Sequence, residues 1–404
     1  MTSIGNLPAT ADAVVVGGGT IGAWTAWFLK QQGLSEVVLV EADRLGQGAS
    51  SRAAGMVRAQ GGTEVAIRLG MFSEEFYRSQ FERFGIDSGF VEQGYFMPCF
   101  SEAEVSAAHT RIALQQSLGL DVRWVDSAEF DAMNPAVADG LTLGASYAPG
   151  DGYIDPPMNV LAYTTALFTS GVRVVERTAF TALRAEGGRV VAVQTTAGEI
   201  ATDRVVLAGG PSLKGIGERI GARILSSGVR HQVVTTAAHP DLAADRLPMV
   251  FDVLSGIYWR PDGYGGVLWG MSNPDEAPGI ATEFDWGYYE TMRARVAKFL
   301  PATEGLGLRR TWAATIDFTP DNLPLLGPLV TASGEAVAEG VTVAAAGGHG
   351  MMWGPAIAKA AADLATVGTT DVVDVTDLGL DRFDEQGRST RAAEPIALPF
   401  PDQA

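Results

Sequence analysis

The sequence predicts an α/β fold that opens with a Rossmann-type βαβ unit, and three observations predict it. Helix-like and strand-like stretches alternate along the 404 residues, the pattern of helices packed on a sheet. The run Gly17-Gly18-Gly19-Thr20-Ile21-Gly22 reads GxGxxG and lies between an apolar strand, Ala13 to Val16, and a helix with its apolar residues at helical spacing. A second apolar strand, Val37 to Val40, ends in Glu41, 22 residues after Gly19. That context gives the motif its meaning in a chain with 49 glycines, because the bare pattern recurs by chance.

Each part of the unit has a physical task. Gly17 permits the tight turn out of the first strand, Gly19 lets a pyrophosphate approach the backbone, and Gly22 lets the helix pack closely on the sheet. The helix N-terminus offers free N–H groups and the positive end of its dipole to the anion. Glu41 would accept hydrogen bonds from ribose hydroxyls, and its charge would repel a 2′-phosphate. The motif alone does not choose FAD over NAD.

Further along, residues 65–84 read as helix, Phe90–Phe100 as a strand pair or hairpin, Glu102–Leu118 as helix, and Asp155–Ser170 as a helix after a Pro-Pro start. Strands follow at 172–175, 180–184, 190–195 and 205–207, with an aromatic, strand-like region at 230–272 and a helix at 288–300. Val341–Ala346 reads as a strand, Gly347–Gly350 as a glycine turn, and Pro355 to about Val367 as the last helix. The acidic stretch from Asp371 is expected on the surface. A chain of this length usually forms two domains or one with a large insertion.

Composition excludes several classes. A formal net charge of −18 argues against nucleic acid and against an anionic membrane surface. The single cysteine, Cys99, excludes an intramolecular disulfide and a cysteine-cluster metal site, and with four histidines no metal site is expected. No apolar run is long enough to span a membrane and no signal peptide is evident, so a cytoplasmic location without membrane insertion is the expectation.

Six segments, in this order, carry a resemblance: Val14–Gly22 with Glu41; Gly48-Ala49-Ser50 through Arg58; Asp151–Pro156; Val205–Gly210; Thr319–Pro324 with Gly327; and Ala346–Gly350 with Pro355. Together they resemble the DAO superfamily of flavoenzymes, in its sarcosine oxidase and glycine oxidase branch. The resemblance implies a discontinuous layout, with an FAD-binding domain from residues 1–85, 155–225 and 320–404. A mixed-sheet α+β substrate domain comes from 86–154 and 226–319. It implies cofactor contacts at Gly17, Gly19, Thr20, Ile21, Gly22, Glu41 and Ala42; at Gly48, Ala49, Ser50 and Ser51; at Ala208 and Gly209; and at Gly347, Gly348, Gly350, Met351 and Met352.

On the substrate side, the resemblance gives Arg58 the position of an arginine that holds a substrate carboxylate, with Arg52 as a second candidate. A guanidinium grips a carboxylate through two parallel bonds. His349 corresponds to the histidine of a Gly-His-Gly beside the flavin, and the catalytic candidates are Arg58, His349 and Tyr258. Tyr258, Trp259, Trp269, Trp312 and Trp353 are candidates for an aromatic pocket.

Departures from the family shape the expectation. Ile316 stands where glycine and D-amino-acid oxidases carry a substrate-binding arginine. Met351, Met352 and Trp353 occupy a stretch where sarcosine oxidases have a lysine, so an apolar pocket for a larger substrate is expected. Ser272 aligns with the lysine that activates oxygen, and Ala314 with the cysteine that tethers a covalent flavin, so FAD should be non-covalent. The implied reaction is oxidation of a C–N bond in an amine or amino acid, secondary, N-methylated or cyclic amines being favoured. A hydride passes to flavin N5 and the imine hydrolyses. Electrons go to oxygen or to an acceptor partner. A dehydrogenase subunit and a non-catalytic FAD-binding subunit remain the alternatives.

Overall fold

The computed structural model describes residues 7–330, 335 and 337–396. Its first sheet has six strands, in the order Leu325–Pro328, Val341–Ala345, Val205–Leu207, β1 (Ala13–Val16), β2 (Val37–Val40) and Arg173–Val175. All neighbours run parallel except the edge strand Leu325–Pro328. Every residue of β1 and β2 is buried, because both faces are covered, which is why these strands read as unbroken apolar runs. One face packs on α1 (Thr20–Gln31) and on the helices Pro156–Ser170 and Gly350–Thr366. The other packs on a small antiparallel sheet built from 180–201 and on the helix Leu213–Arg219.

The second large sheet has eight strands, drawn from 95–148 and 227–318. Its longest pairing is antiparallel, between Ser227–Thr236 and Leu308–Phe318. Along this sheet side chains alternate between two buried faces. Trp259, Trp269 and Val234 enter one core with the helix Trp286–Phe299, while Tyr258, Val233 and Leu268 enter another. The architecture is thus α/β, a Rossmann-type sheet joined to a mixed sheet.

Three expectations change. Val91–Glu92 and Tyr95–Cys99 are not a hairpin: the first pairs with Gly152–Tyr153, the second with Gly144–Ala148 and Met249–Phe251. The last helix starts at Gly350 rather than Pro355, which lies inside it. A proline there leaves the carbonyl four residues earlier without its partner. That carbonyl belongs to Met351, and it accepts the Tyr77 hydroxyl at 2.8 Å, so the helix continues. Finally, the stretch from Asp371 to residue 396 does not lie wholly on the surface, and residues 397–404 lie outside the described residues. Val373, Leu378, Leu380, Phe383 and Ile396 are buried, and Arg382 forms a buried pair with Asp321 at 2.8 Å.

Candidate functional site

A cavity of about 370 Å³ opens where β1 and β2 end, and a second of about 500 Å³ adjoins it at Gly17, Glu41 and Gly209. Gly17 has φ +110°, and a Cβ there would lie 2.4 Å from the Ala208 carbonyl oxygen; one on Gly22 would lie 2.0 Å from the Gly17 carbonyl oxygen. Only glycine allows this strand–turn–helix to close. The N-cap of α1, Gly19, has no side-chain cap, so the helix end faces the cavity with backbone donors. Thr20 N–H donates to Ser50 Oγ at 2.9 Å, which brings the Gly48–Ser50 loop against the helix end. Glu41 accepts the Gly18 and Asp43 N–H groups at 2.6 and 2.8 Å.

Of the cofactor-contact residues expected from the sequence, Gly17, Gly19, Thr20, Ile21, Glu41, Gly48, Ala49, Ser50, Ala208, Gly209, Gly348, Gly350, Met351 and Met352 line the first cavity. Ala42 lines the second. Gly22, Ser51 and Gly347 line neither. Gly22 serves helix–strand packing. Gly347 serves a turn: at φ +59°, it sits so that a Cβ would meet the Leu323 carbonyl oxygen at 2.5 Å.

The far end of the first cavity gathers Arg58, Tyr95, His231, Phe251, Tyr258 and His349. Arg58 follows the short strand Met56–Val57 and is 2% exposed. Its Nη1 donates to the Gln60 carbonyl, its Nη2 to the Ile396 carbonyl at 2.6 Å, and its guanidinium lies over the Phe251 ring, 5.7 Å from the centroid. His349 precedes the Gly350–Thr366 helix, with its ring on Trp353 at a centroid distance of 4.0 Å and Nδ1 3.1 Å from the Gly347 carbonyl oxygen. Burial, then the Arg58 charge, pushes its pKa down to about 3, so the imidazole is neutral. The Ile396 carbonyl lies near the ring without closing a hydrogen bond, and Nε2 has no partner among the described residues.

Tyr258 Oη lies 2.7 Å from His231 Nε2, with the rings stacked at 19°. Burial lowers the His231 pKa to about 4 and raises that of Tyr258. Both groups are therefore neutral at ordinary pH. The absent side chain of Gly270 makes room for them, since a Cβ there would lie 2.3 Å from the Tyr258 hydroxyl.

Behind Arg58, Gln60 Nε2 donates to the Tyr95 carbonyl at 3.0 Å and to Asp151 at 3.2 Å. Asp151 also accepts the Ala59 N–H at 3.0 Å. Burial, then Asp151, pushes the neighbouring Glu74 carboxyl up to about 11, so Glu74 is protonated.

Four of the aromatic expectations fail, two of them through the alternation of a strand. Trp259 and Trp269 point to the opposite face of the sheet from Tyr258, into a separate core. Trp312 is tied by its indole N–H to the Arg52 carbonyl at 2.7 Å, and Trp353 stands behind His349. Tyr95 and Phe251 line the cavity instead. Arg52, Ala314 and Ile316 do line it; Ser272 does not, being 1% exposed beneath Gly256 and Tyr288. His231 was not singled out in the sequence; its register partner is Ala314, across the Ser227–Thr236 and Leu308–Phe318 pair. Among the described residues no His, Cys, Asp and Glu group suits a metal ion, and no helix is long and apolar enough to cross a membrane.

Comparison with known proteins matches these features. The chain is 27% identical over 378 residues to 4-methylaminobutanoate oxidase (formaldehyde-forming) of Paenarthrobacter nicotinovorans, covering 91% of this chain and 45% of that protein. It is 26% identical over 336 residues to mitochondrial sarcosine dehydrogenase of Mus musculus, covering 80% of this chain and 36% of that one. It therefore spans less than half the length of these two relatives. The crystal structure of L-proline dehydrogenase from P. horikoshii superposes with a TM-score of 0.85 at 26% identity, covering 93% of this chain and 98% of that one. The family model described as DAO, FAD dependent oxidoreductase, matches residues 12–364. With that match spanning most of its length, the chain belongs to the DAO family of FAD-dependent oxidoreductases.

Proposed function

We propose that this chain oxidises a C–N bond of an amine or amino acid, with secondary, N-methylated or cyclic amines favoured and an imine as the product. The observation that carries this reading is one continuous cleft. It runs from the glycine turn at Gly17–Ile21 to a buried cation, Arg58, and a neutral Tyr258–His231 pair.

The α1 N-terminus, Glu41 and the Gly48–Ser50 loop would hold the dinucleotide. The Gly348–Met352 turn and helix start would border its ring. When bound there, FAD supplies the two-electron acceptor for a carbon attached to nitrogen. The protein's own residues bind, orient and exclude water. Arg58 would hold a carboxylate. Tyr258 would donate a hydrogen bond to His231 Nε2 and so present its oxygen lone pairs to a substrate N–H, orienting the nitrogen in the cavity. Met56, Phe251 and Ile316 supply an apolar surround, which favours a substrate larger than glycine. FAD would be held without a covalent bond, since Ala314 carries no nucleophile. No lysine lines the first cavity among the described residues, which favours delivery of electrons to an acceptor partner over oxygen.

The test is anaerobic bleaching of the flavin band by N-methyl amines, cyclic amines, and D- and L-amino acids. Bleaching by at least one class is expected, with little peroxide when air is admitted. A yellow protein that no amine bleaches would leave only an FAD-binding subunit.

A further inference from the structure

Arg58 is buried, yet among the described residues no hydrogen bond joins it to a carboxylate. Two backbone carbonyls, those of Gln60 and Ile396, take its Nη donors. A guanidinium has five N–H donors, so others remain for a ligand. The Asp151 carboxylate behind it feels the Arg58 charge without hydrogen-bonding to it, so the guanidinium can still take a ligand carboxylate through charge-assisted bonds.

Both carbonyls are held in place. The Gln60 side chain is fixed by Tyr95, Asp151 and the Ser146 hydroxyl, which donates to its Oε1 at 2.8 Å. Ile396 comes from 338 residues further along the chain and is set by Glu394, a carboxylate only 3% exposed. Glu394 Oε1 accepts the Gly62 N–H at 2.5 Å and the Ile396 N–H at 3.2 Å. Its Oε2 accepts the Thr63 hydroxyl at 2.7 Å, and its own N–H donates to the Asp321 carbonyl at 2.9 Å. Pro395 packs on Gly62 so closely that a Cβ there would lie 2.1 Å from its ring. The Ile396 side chain is fully buried in the cluster that contains Met56, Tyr95, Phe251 and Tyr258, all walls of the cavity.

We propose that Glu394–Ile396 is a positioning element of the substrate pocket: Glu394 sets the Ile396 carbonyl, and that carbonyl aims the Arg58 guanidinium at the carboxylate of a substrate. Glu394 is then a positioning residue that selects carboxylate-bearing ligands, although it does not touch them. The inference rests on the assignment of Arg58 as the carboxylate-binding group. A wall built from a distant segment can be loosened without altering the FAD cleft.

The test uses the full FAD-loaded chain, with butyrate as the carboxylate probe and butylamine as a counterpart of similar length that lacks the carboxylate, each read by perturbation of the flavin spectrum. Glu394→Ala is expected to weaken butyrate at least tenfold and butylamine less than twofold. Glu394→Gln keeps one acceptor oxygen and should recover most of the butyrate affinity. Should Glu394→Ala not fold, Glu394→Gln carries the test, with butyrate weakened about threefold and butylamine unchanged. Equal losses for both probes, or unchanged butyrate binding in the folded variants, overturn the proposal. Arg58→Ala separates the two levels. If it abolishes butyrate binding while the Glu394 variants do not weaken it, only the positioning role fails; if it too binds butyrate normally, the assignment of Arg58 fails.

Discussion

Gly270→Ala tests the Tyr258–His231 pair without touching either residue. The new Cβ would sit 2.3 Å from the Tyr258 hydroxyl and 2.9 Å from the Gln232 carbonyl oxygen, against the 3.4 Å of an ordinary contact. Tyr258 is a rigid ring in a buried strand, so its hydroxyl must retreat by about 1 Å. Starting from 2.7 Å, that retreat breaks the bond to His231. Two buried polar atoms then lose a partner, at a cost of roughly 1–3 kcal/mol in stability. A displacement of about 1 Å in a substrate-orienting group costs up to about 100-fold in rate. The expected result is normal FAD content, a melting temperature lowered by a few degrees, and anaerobic flavin reduction slowed about 10- to 100-fold. Rapid mixing with an amine that bleaches the native protein measures it. Native reduction rates in a folded, fully loaded Gly270→Ala protein would refute the role given to Tyr258.

Two further outcomes follow from the buried groups. The Glu74 pKa is raised from 4.5 to about 11, first by burial and then by Asp151. A folded-state pKa above the unfolded one makes this group's contribution complete below about pH 4.5 and lost as pH rises toward 11. Glu74→Gln keeps a hydrogen-bond donor for Asp151 and needs no proton, so it should stabilise the fold by roughly 1–3 kcal/mol near pH 8. Thermal melts from about pH 5 to about pH 9 should lose part of their alkaline decline; an unchanged slope counts against the protonated carboxyl. Acid precipitation should leave a colourless pellet and a yellow supernatant, because Ala314 offers the flavin no nucleophile and the one cysteine, Cys99, does not line the cavity; a yellow pellet contradicts this.

What the sequence shows of this site is what is local in the chain. The βαβ unit is legible because its strand, glycine turn, helix and acidic strand end, Ala13 to Glu41, are consecutive in the chain, and each has a steric reason. The end of the cavity that holds Arg58, His231 and Tyr258 is assembled from distant strands. Tyr258 and Trp259 are adjacent and both aromatic, and both faces of their sheet are buried, so nothing in the sequence says which one meets the cavity. His231 is hidden for the same reason. Pro355 resembles a helix start, but the group that lets the helix run through it, the Tyr77 hydroxyl, lies 274 residues before the carbonyl it caps. The segment after Asp371 reads as surface because its charges are many and its buried apolar residues, Val373, Leu378, Leu380, Phe383 and Ile396, are few and unevenly spaced.

The six-stranded sheet also sets the order in which this protein can be made. Its strands β1 and β2 leave the ribosome early, but Val205–Leu207 must wait for Val341–Ala345 before its outer edge is paired. A nascent chain that has reached residue 300 therefore carries a bare apolar edge and lacks the turn at Gly347–Gly350. Such an edge recruits other strands while it waits. Cells that synthesise this chain quickly would need folding helpers to shield that edge, and cofactor capture would come as one of the last steps of its maturation.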